Sequence, residues 1–301
     1  MLIIKYRKIF FALTAALTIG ALATLAVFGL NIGTDFTGGA LVEVRYAGER
    51  PASEALQQSL SEAGLESITV RGAEDDAYII RSAPLSEEAR AALPRAVAVG
   101  GSPATIERLT DVGPSIGSEL RSKAVIALVL VALCIMFYVA FVFRKVSNPV
   151  SSWAYGIITV ITLLHDLAIP LGAFALFGHL WGAQVDTLFV TAILTVLGYS
   201  VHDTIVVFDR TRENLRLNEE HKRKEDFEYV AGRSISQTFV RSVNTSMTTL
   251  IALGALFFLG PVATQDFALT LVIGVIAGTY SSIALATPLL VTWERWKAKR
   301  S

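Results

Sequence analysis

The sequence predicts an α-helical polytopic membrane protein, a six-helix bundle with an inserted exported α+β domain of ferredoxin-like type. Three observations predict it. The 301 residues are 53% hydrophobic and only 17% charged, against about 25% charged in soluble domains. Six apolar runs approach or exceed the roughly 20 residues that a bilayer requires. Between the first and second runs lies a polar segment whose hydrophobic pattern is that of a small folded unit. The order gives a first transmembrane helix at 1–30, an exported domain at 31–121, and five transmembrane helices at 122–301 with a cytoplasmic loop at 209–244.

The first run, 9–30, follows Lys5, Arg7 and Lys8, and Ala21-Leu22-Ala23 imitates a signal-peptide cleavage site. The run outlasts the roughly 7–15 apolar residues of such a peptide, so it reads as an uncleaved helix. The remaining runs are 124–143, 153–177, 185–208, 245–259 with a polar approach, and 267–291. Basic residues precede the first run and follow the second (Arg144, Lys145). They crowd the stretch between the fourth and fifth from Arg210 to Arg241, Lys224 included, and end the chain from Arg295 to Arg300. The loops 178–184 and 260–265 contain no Lys or Arg. The positive-inside rule then puts every basic cluster and both termini in the cytoplasm, and 31–121 outside. The single cysteine, Cys134, sits in an apolar run and reads as buried filler, which leaves no disulfide framework within the chain.

Within the exported segment, 41–46 alternates as a half-buried strand does. A helix follows at 52–63, with Leu56 and Leu60 on one face and Gly64 at its end. Strands at 67–71 and 77–81 flank the acidic turn Glu74-Asp75-Asp76. A second helix runs from Ser86 to Val97, and a last strand occupies 105–112. The order β-α-β-β-α-β is the split βαβ pattern. Its acidic residues read as a solvated surface, since no spacing matches a calcium loop.

No enzyme signature is present: there is no phosphate loop, nucleotide fingerprint, zinc-protease helix or nucleophile elbow. His165-Asp166 and His202-Asp203 do not make chelates alone, because neighbours on a helix point in different directions. Neither a metal nor a cofactor is expected.

The strongest functional signal is Asp203 within the fourth run. A charged Asp in hydrocarbon costs roughly 2.5–3.5 kcal/mol on insertion scales, so it faces a bundle interior or a watery path. The blander reading places it near enough to the cytoplasmic surface to hydrate. Ser234, Thr238, Arg241, Thr245 and Thr248 fall at helical spacing and form a polar stripe leading into the fifth run, and such hydroxyls bond across helix interfaces. Arg241 has two readings of equal standing, a partner for Asp203 or a snorkelling topology anchor. Tyr199, one turn from Asp203, together with His202, Thr245, Thr248 and Asp166, makes up the supporting polar set. In the sixth run, Gly274 and Gly278 form a small-xxx-small face suited to close helix packing, expected to serve association with a partner.

The whole chain resembles the SecF family. The resemblance is carried by the glycine motif Gly33-Thr34-Asp35-Phe36-Thr37-Gly38-Gly39, the stretch 112–117, Leu164-His165-Asp166, the segment 199–210, the stretches 236–238 and 244–249, Asp266-Phe267-Ala268 and the stretch 278–282. It implies a non-enzymatic subunit in the bacterial inner membrane, one half of a twelve-span transporter architecture, working with SecD. It implies that the proton-motive force helps preproteins leave the Sec channel, built of SecY, SecE and SecG, with YajC as a further partner. Unfolded preprotein and membrane lipid are the implied contacts, and nucleic acid is not. Asp203 falls at the family's proton-carrying position and Arg241 in the same pathway. Asp35, Phe36, Gly38 and Gly39 take a structural role, since glycines permit unusual backbone angles there. A proton-coupled exporter half for small molecules or lipids is the alternative, and a passive scaffold the third.

Overall fold

The structure, a computed structural model, describes residues 2–144, 150–223 and 225–299. Lys145, Lys224 and Arg300 of the basic clusters lie outside the described residues. The chain divides into two compact units, Ile32–Ile126, and Met1–Asn31 together with Ala127–Ser301.

A short helix α1 (Leu2–Lys5) and the long apolar α2 (Arg7–Phe28) open the chain. The inserted unit then contains α3 (Thr34–Thr37), β1 (Gly39–Tyr46), α4 (Ser53–Glu62), β2 (Thr69–Glu74), β3 (Ala77–Ser82), α5 (Glu87–Ala96) and β4 (Ala104–Val112). The strands form one antiparallel sheet in the order β2-β3-β1-β4, the arrangement expected of a split βαβ unit. Val42, Val44 and Tyr46 of β1 are buried with Leu56 and Leu60 of α4 and Leu93 of α5. The period-2 alternation therefore delivers one sheet face to the two helices. Ser86 caps α5 by accepting from the Ala89 amide at 3.1 Å, and Glu87 and Glu88 complement the helix dipole in its first turn. Residues of β1 on the alternate register carry ion pairs: Arg45 reaches Asp76 at 2.9 Å and Glu107 at 2.7 Å, and Glu43 faces Arg108 at 3.7 Å. Half-exposed pairs of this kind contribute about 0–1 kcal/mol each, so they solubilise the face more than they hold it.

The glycine motif is a packing device. Gly38 and Gly39 have φ of +81° and +140°. A Cβ on Gly38 would sit 2.8 Å from Cα of Pro114, and one on Gly39 would sit 2.5 Å from the Ser82 carbonyl oxygen. Gly117 closes on the same spot, where an added Cβ would lie 3.0 Å from the Phe36 carbonyl carbon. The motif at 33–39 and the stretch at 112–117 thus meet backbone to backbone, and Phe36 of the motif is buried.

The second unit holds α2, most of α6 (Pro114–Val142), α7 (Ser152–Trp181), α8 (Thr187–Glu220), α9 (Phe227–Leu259), α10 (Gln265–Ser281), a π-helical turn at Ser282–Ala286, and α11 (Thr287–Ala298). Six helical segments among the described residues are long and apolar enough to cross a membrane. Three differences from the sequence reading have local causes. First, α6 starts at Pro114, not near 124, because a proline is pre-organised for a first helical position; its opening turns belong to the inserted unit. Second, the stretch placed as a loop at 209–244 is helical at 209–220 and 227–244, since charged residues with i,i+3 and i,i+4 pairing such as Arg210–Glu213 and Arg216–Glu220 prolong α8 beyond the apolar run. Third, Cys134 is exposed, not buried; it lies on the outward apolar face of α6 with Leu130, Leu133 and Phe137.

At one end of the bundle, Phe143, Tyr155 and Phe208 form a buried aromatic trio, with centroids 4.9–6.0 Å apart. At the starts of α2 and α9 and near the end of α11, Glu228 binds both Arg7, at 2.9 Å, and Arg295. The start of α2, the start of α9 and the end of α11 are thereby tied together.

Two outcomes are expected. Gly39→Ala should destabilise the inserted unit by about 1–3 kcal/mol, the usual cost of forcing an unsuitable side chain into a strained conformation, read as a lower midpoint of thermal unfolding in detergent. Tyr46 is buried, donates to the Val97 carbonyl at 3.0 Å, and its phenol is pushed up to about 12, first by burial and then by Tyr78. A raised folded value gives stability that is present below pH 10 and lost as pH rises from 10 towards 12. Tyr46→Phe should flatten that alkaline loss when unfolding is followed against pH.

Candidate functional site

The interior of the bundle is polar along one seam where α7, α8, α9 and α10 meet. Helix α10 can approach α8 because it offers glycine. A Cβ at Gly274 would lie 2.2 Å from Cγ2 of Val196, and one at Gly278 would lie 2.8 Å from Cβ of Ser200. The small-xxx-small face expected to serve a partner is therefore spent inside the chain.

Two aspartates occupy this seam in opposite circumstances. Asp166 of α7 is fully buried. Its Oδ2 accepts hydrogen bonds from Ser200 Oγ of α8 and from Ser281 Oγ of α10 at 2.9 Å. Its Oδ1 lies 2.9 Å from Nδ1 of His165. Asp203 of α8 is only 4% exposed, yet its Oδ2 has no hydrogen-bond partner among the described residues. His202, Ser242 and Arg241 are the groups that act electrostatically on it. Ser242 of α9 is itself buried, and its hydroxyl likewise lacks a partner of good geometry. The two carboxyls share no hydrogen bond.

The other sequence-picked residues divide around this pair. Arg241 is exposed and forms no ion pair with Asp203. The side chain that α9 turns towards Asp203 is its neighbour Ser242. The buried stripe on α9 is Ser234, Thr238, Ser242 and Ser246, in i,i+4 steps, rather than the one through Arg241, Thr245 and Thr248. Thr248 is exposed, and its hydroxyl donates to the Thr245 carbonyl at 2.8 Å. His202 points outward while Asp203 points in, as residues one apart on a helix must. Tyr199 reaches across to α9, donating to Ser246 at 3.3 Å and lying 3.5 Å from Thr249, and Ser246 pairs with Thr279 of α10 at 2.6 Å. Asp35, Phe36, Gly38 and Gly39 belong to the inserted unit, where their packing is described above.

Sequence reasoning missed the hydroxyls that complete the seam: Ser200, Thr204, Ser242, Ser281 and Ser282. Thr204 pairs with Ser282 at 2.9 Å, and Ser282 also lies 3.3 Å from the Ser200 carbonyl. The signal was present. Ser200 and Thr204 flank Asp203 in one i,i+4 pair, and Ser234 to Ser246 repeat every four residues. Among the described residues, no three His, Cys, Asp or Glu side chains gather as metal ligands would.

Comparison with known proteins agrees with this architecture. Residues 96–296 match the family described as protein export membrane protein SecD/SecF, C-terminal, and residues 23–48 match the SecD/SecF GG motif. The chain is 39% identical to the protein translocase subunit SecF of Thermobaculum terrenum, over 97% of this chain and 93% of that protein. It is 38% identical to the protein translocase subunit SecDF of Thermus thermophilus, over 95% of this chain but 38% of that longer one. The crystal structure of SecDF from the same organism, described as a translocon-associated membrane protein, superposes with a TM-score of 0.83 at 33% identity, covering 97% of this chain and 38% of that one.

Proposed function

Because the chain belongs to the SecD/SecF family of protein export membrane proteins, as a SecF protein translocase subunit, we propose that it couples the proton-motive force to preprotein release, with Asp203 as the proton-carrying group. The observation that carries the proposal is the buried Asp203 oxygen with no partner, facing a buried Ser242 hydroxyl with none. A protonated Asp203 has an O–H to donate across the α8–α9 interface. An ionised Asp203 has only acceptors, so it must take its hydrogen bonds from the Ser242 hydroxyl, from water or from a cation. The two protonation states therefore favour different packing of α8 against α9, which is what a proton-driven two-state motion requires. One charge moved across 100 mV supplies roughly 2.3 kcal/mol. Arg241 and His202 act electrostatically on Asp203, and Tyr199, Thr245 and Thr248 are the supporting polar groups on α8 and α9.

The partner is SecD. Relatives that fuse the two halves motivate this, and so does the surface. On α8, Thr191, Thr195, Gly198 and His202 are exposed in one stripe; on α9, Arg241, Asn244 and Thr248 are exposed in another. Polar groups and an arginine facing lipid are costly, and a second six-helix half would cover them. The assembly acts beside the Sec channel of SecY, SecE and SecG, with YajC, in the bacterial inner membrane. The Arg7–Glu228–Arg295 end is cytoplasmic by the positive-inside rule, and the inserted unit is exported, where it holds emerging unfolded preprotein.

Asp203→Asn keeps size and hydrogen bonding while removing the titratable proton. In vesicles containing the full complex, it should assemble normally and lose the gradient-dependent part of preprotein release; full retention of that part would sink the proposal. Cysteines placed at Thr195 and Thr248 should crosslink to SecD and not to a second copy of this chain. Crosslinks to itself alone would show that another SecF covers the face.

A further inference from the structure

The proposed proton path makes no use of the most tightly held carboxyl in the bundle. Asp166 gathers α7, α8 and α10 at one point: Ser200 and Ser281 both donate to its Oδ2, and His165 faces its Oδ1. Ser200 lies three residues before Asp203, close to one helical turn. Thr204, the residue after Asp203, pairs at 2.9 Å with Ser282, at the start of the π-helical turn, and Ser282 also lies 3.3 Å from the Ser200 carbonyl. Helix α8 is thus tied to α10 on both sides of Asp203, and the tie nearer the middle of the bundle passes through Asp166. We propose that Asp166 is a positioning residue: its carboxyl fixes the height and rotation of α8, and so aims Asp203 at Ser242 of α9, without carrying the proton itself. The proposal rests on the reading of Asp203 as the proton carrier.

The bonding pattern distinguishes an acceptor from a carrier. Both oxygens of Asp166 are engaged, whereas Asp203 leaves Oδ2 open. Three of the roughly four acceptor sites of its carboxylate are taken by contacts that join helices or fix His165. The clasp needs an oxygen acceptor rather than a titratable group. An asparagine carbonyl can accept from both serines. Its amide can donate to His165 Nδ1 if the imidazole carries its proton on Nε2. That tautomer is open, because Nε2 has no partner among the described residues. Tyr280 of α10, with its ring centroid 6.3 Å from that of His165, is the other titratable group beside the clasp. His202 on α8 and Arg241 on α9 remain the groups that act electrostatically on Asp203, and neither bonds Asp166.

The test compares Asp166→Asn, Asp166→Ala, Ser200→Ala and Asp203→Asn in the assembled complex with SecD. Two readouts are taken: gradient-dependent preprotein release from vesicles, and the pH midpoint of the Asp203 carboxyl infrared band, identified by its loss in Asp203→Asn. Asp166→Asn should retain release and leave the midpoint in place. Asp166→Ala should lose release and move the midpoint by about one pH unit, the ordinary spread of carboxyl values among protein environments. Ser200→Ala, which removes one donor and keeps the buried acid, should move it in the same direction by less. Loss of release in an assembled Asp166→Asn would make Asp166 a carrier and overturn the proposal. An unmoved midpoint in assembled Asp166→Ala and Ser200→Ala would overturn it while leaving the Asp203 reading intact. Absence of any titrating band lost in Asp203→Asn would overturn both, and would identify the proton reading as the part that failed.

Discussion

A carboxyl group buried between helices has to take its hydrogen bonds from protein, because hydrocarbon supplies none. In this bundle Asp166 takes them from Ser200 on α8 and Ser281 on α10, with His165 of its own helix on the other oxygen. That demand fixes much else. Helix α10 must come close enough for Ser281 to reach α7, and it does so through Gly274 and Gly278, where α8 leaves no room for a side chain. Ser281 and Ser282 are adjacent, and directions one residue apart on a helix diverge. One therefore addresses α7 and the other α8. The π-helical turn begins at Ser282, the kind of local departure from α-geometry often found at functional sites.

The same seam contains the opposite case a few residues along α8. Asp203 is nearly as buried as Asp166 but keeps an oxygen unpaired, and so does the serine opposite. A buried polar atom without a partner costs about 1–3 kcal/mol, and folds retain such costs chiefly where function uses them. A fully satisfied carboxyl and an unsatisfied one, on helices tied to each other, separate a fixed point from a responsive one. On the proposed reading, the satisfied group gives α8 a reference position and the unsatisfied group makes packing against α9 depend on a single proton.

The inserted unit obeys a different balance. In water, alternation of apolar and polar residues suffices: Val42, Val44 and Tyr46 go to the core, and Glu43 and Arg45 to a charge-laced face. Its junctions are governed by backbone sterics, since Gly38, Gly39 and Gly117 allow two chain segments to touch where no Cβ fits. The sequence motif shared with the SecD/SecF family at 23–48 thus has a packing reason within this unit.

Sequence alone determined the helices, the strands and their order, because hydropathy and period are local properties. The β-α-β-β-α-β unit stands where the pattern put it, and Asp203 could be singled out because an acid in an apolar run is expensive whatever surrounds it. Boundaries set by polarity were less secure, as at 209–244, where charged residues continue α8 well beyond the apolar run. What only the tertiary structure decided is which side chains meet. Arg241 and Ser242 are neighbours in sequence, and a rotation of about 100° separates their directions. That rotation turns the serine, not the arginine, to Asp203. Likewise, nothing local in Ser200, Ser281 or Asp166 shows that they converge, because their meeting depends on how three helices pack and on two glycines that let them approach.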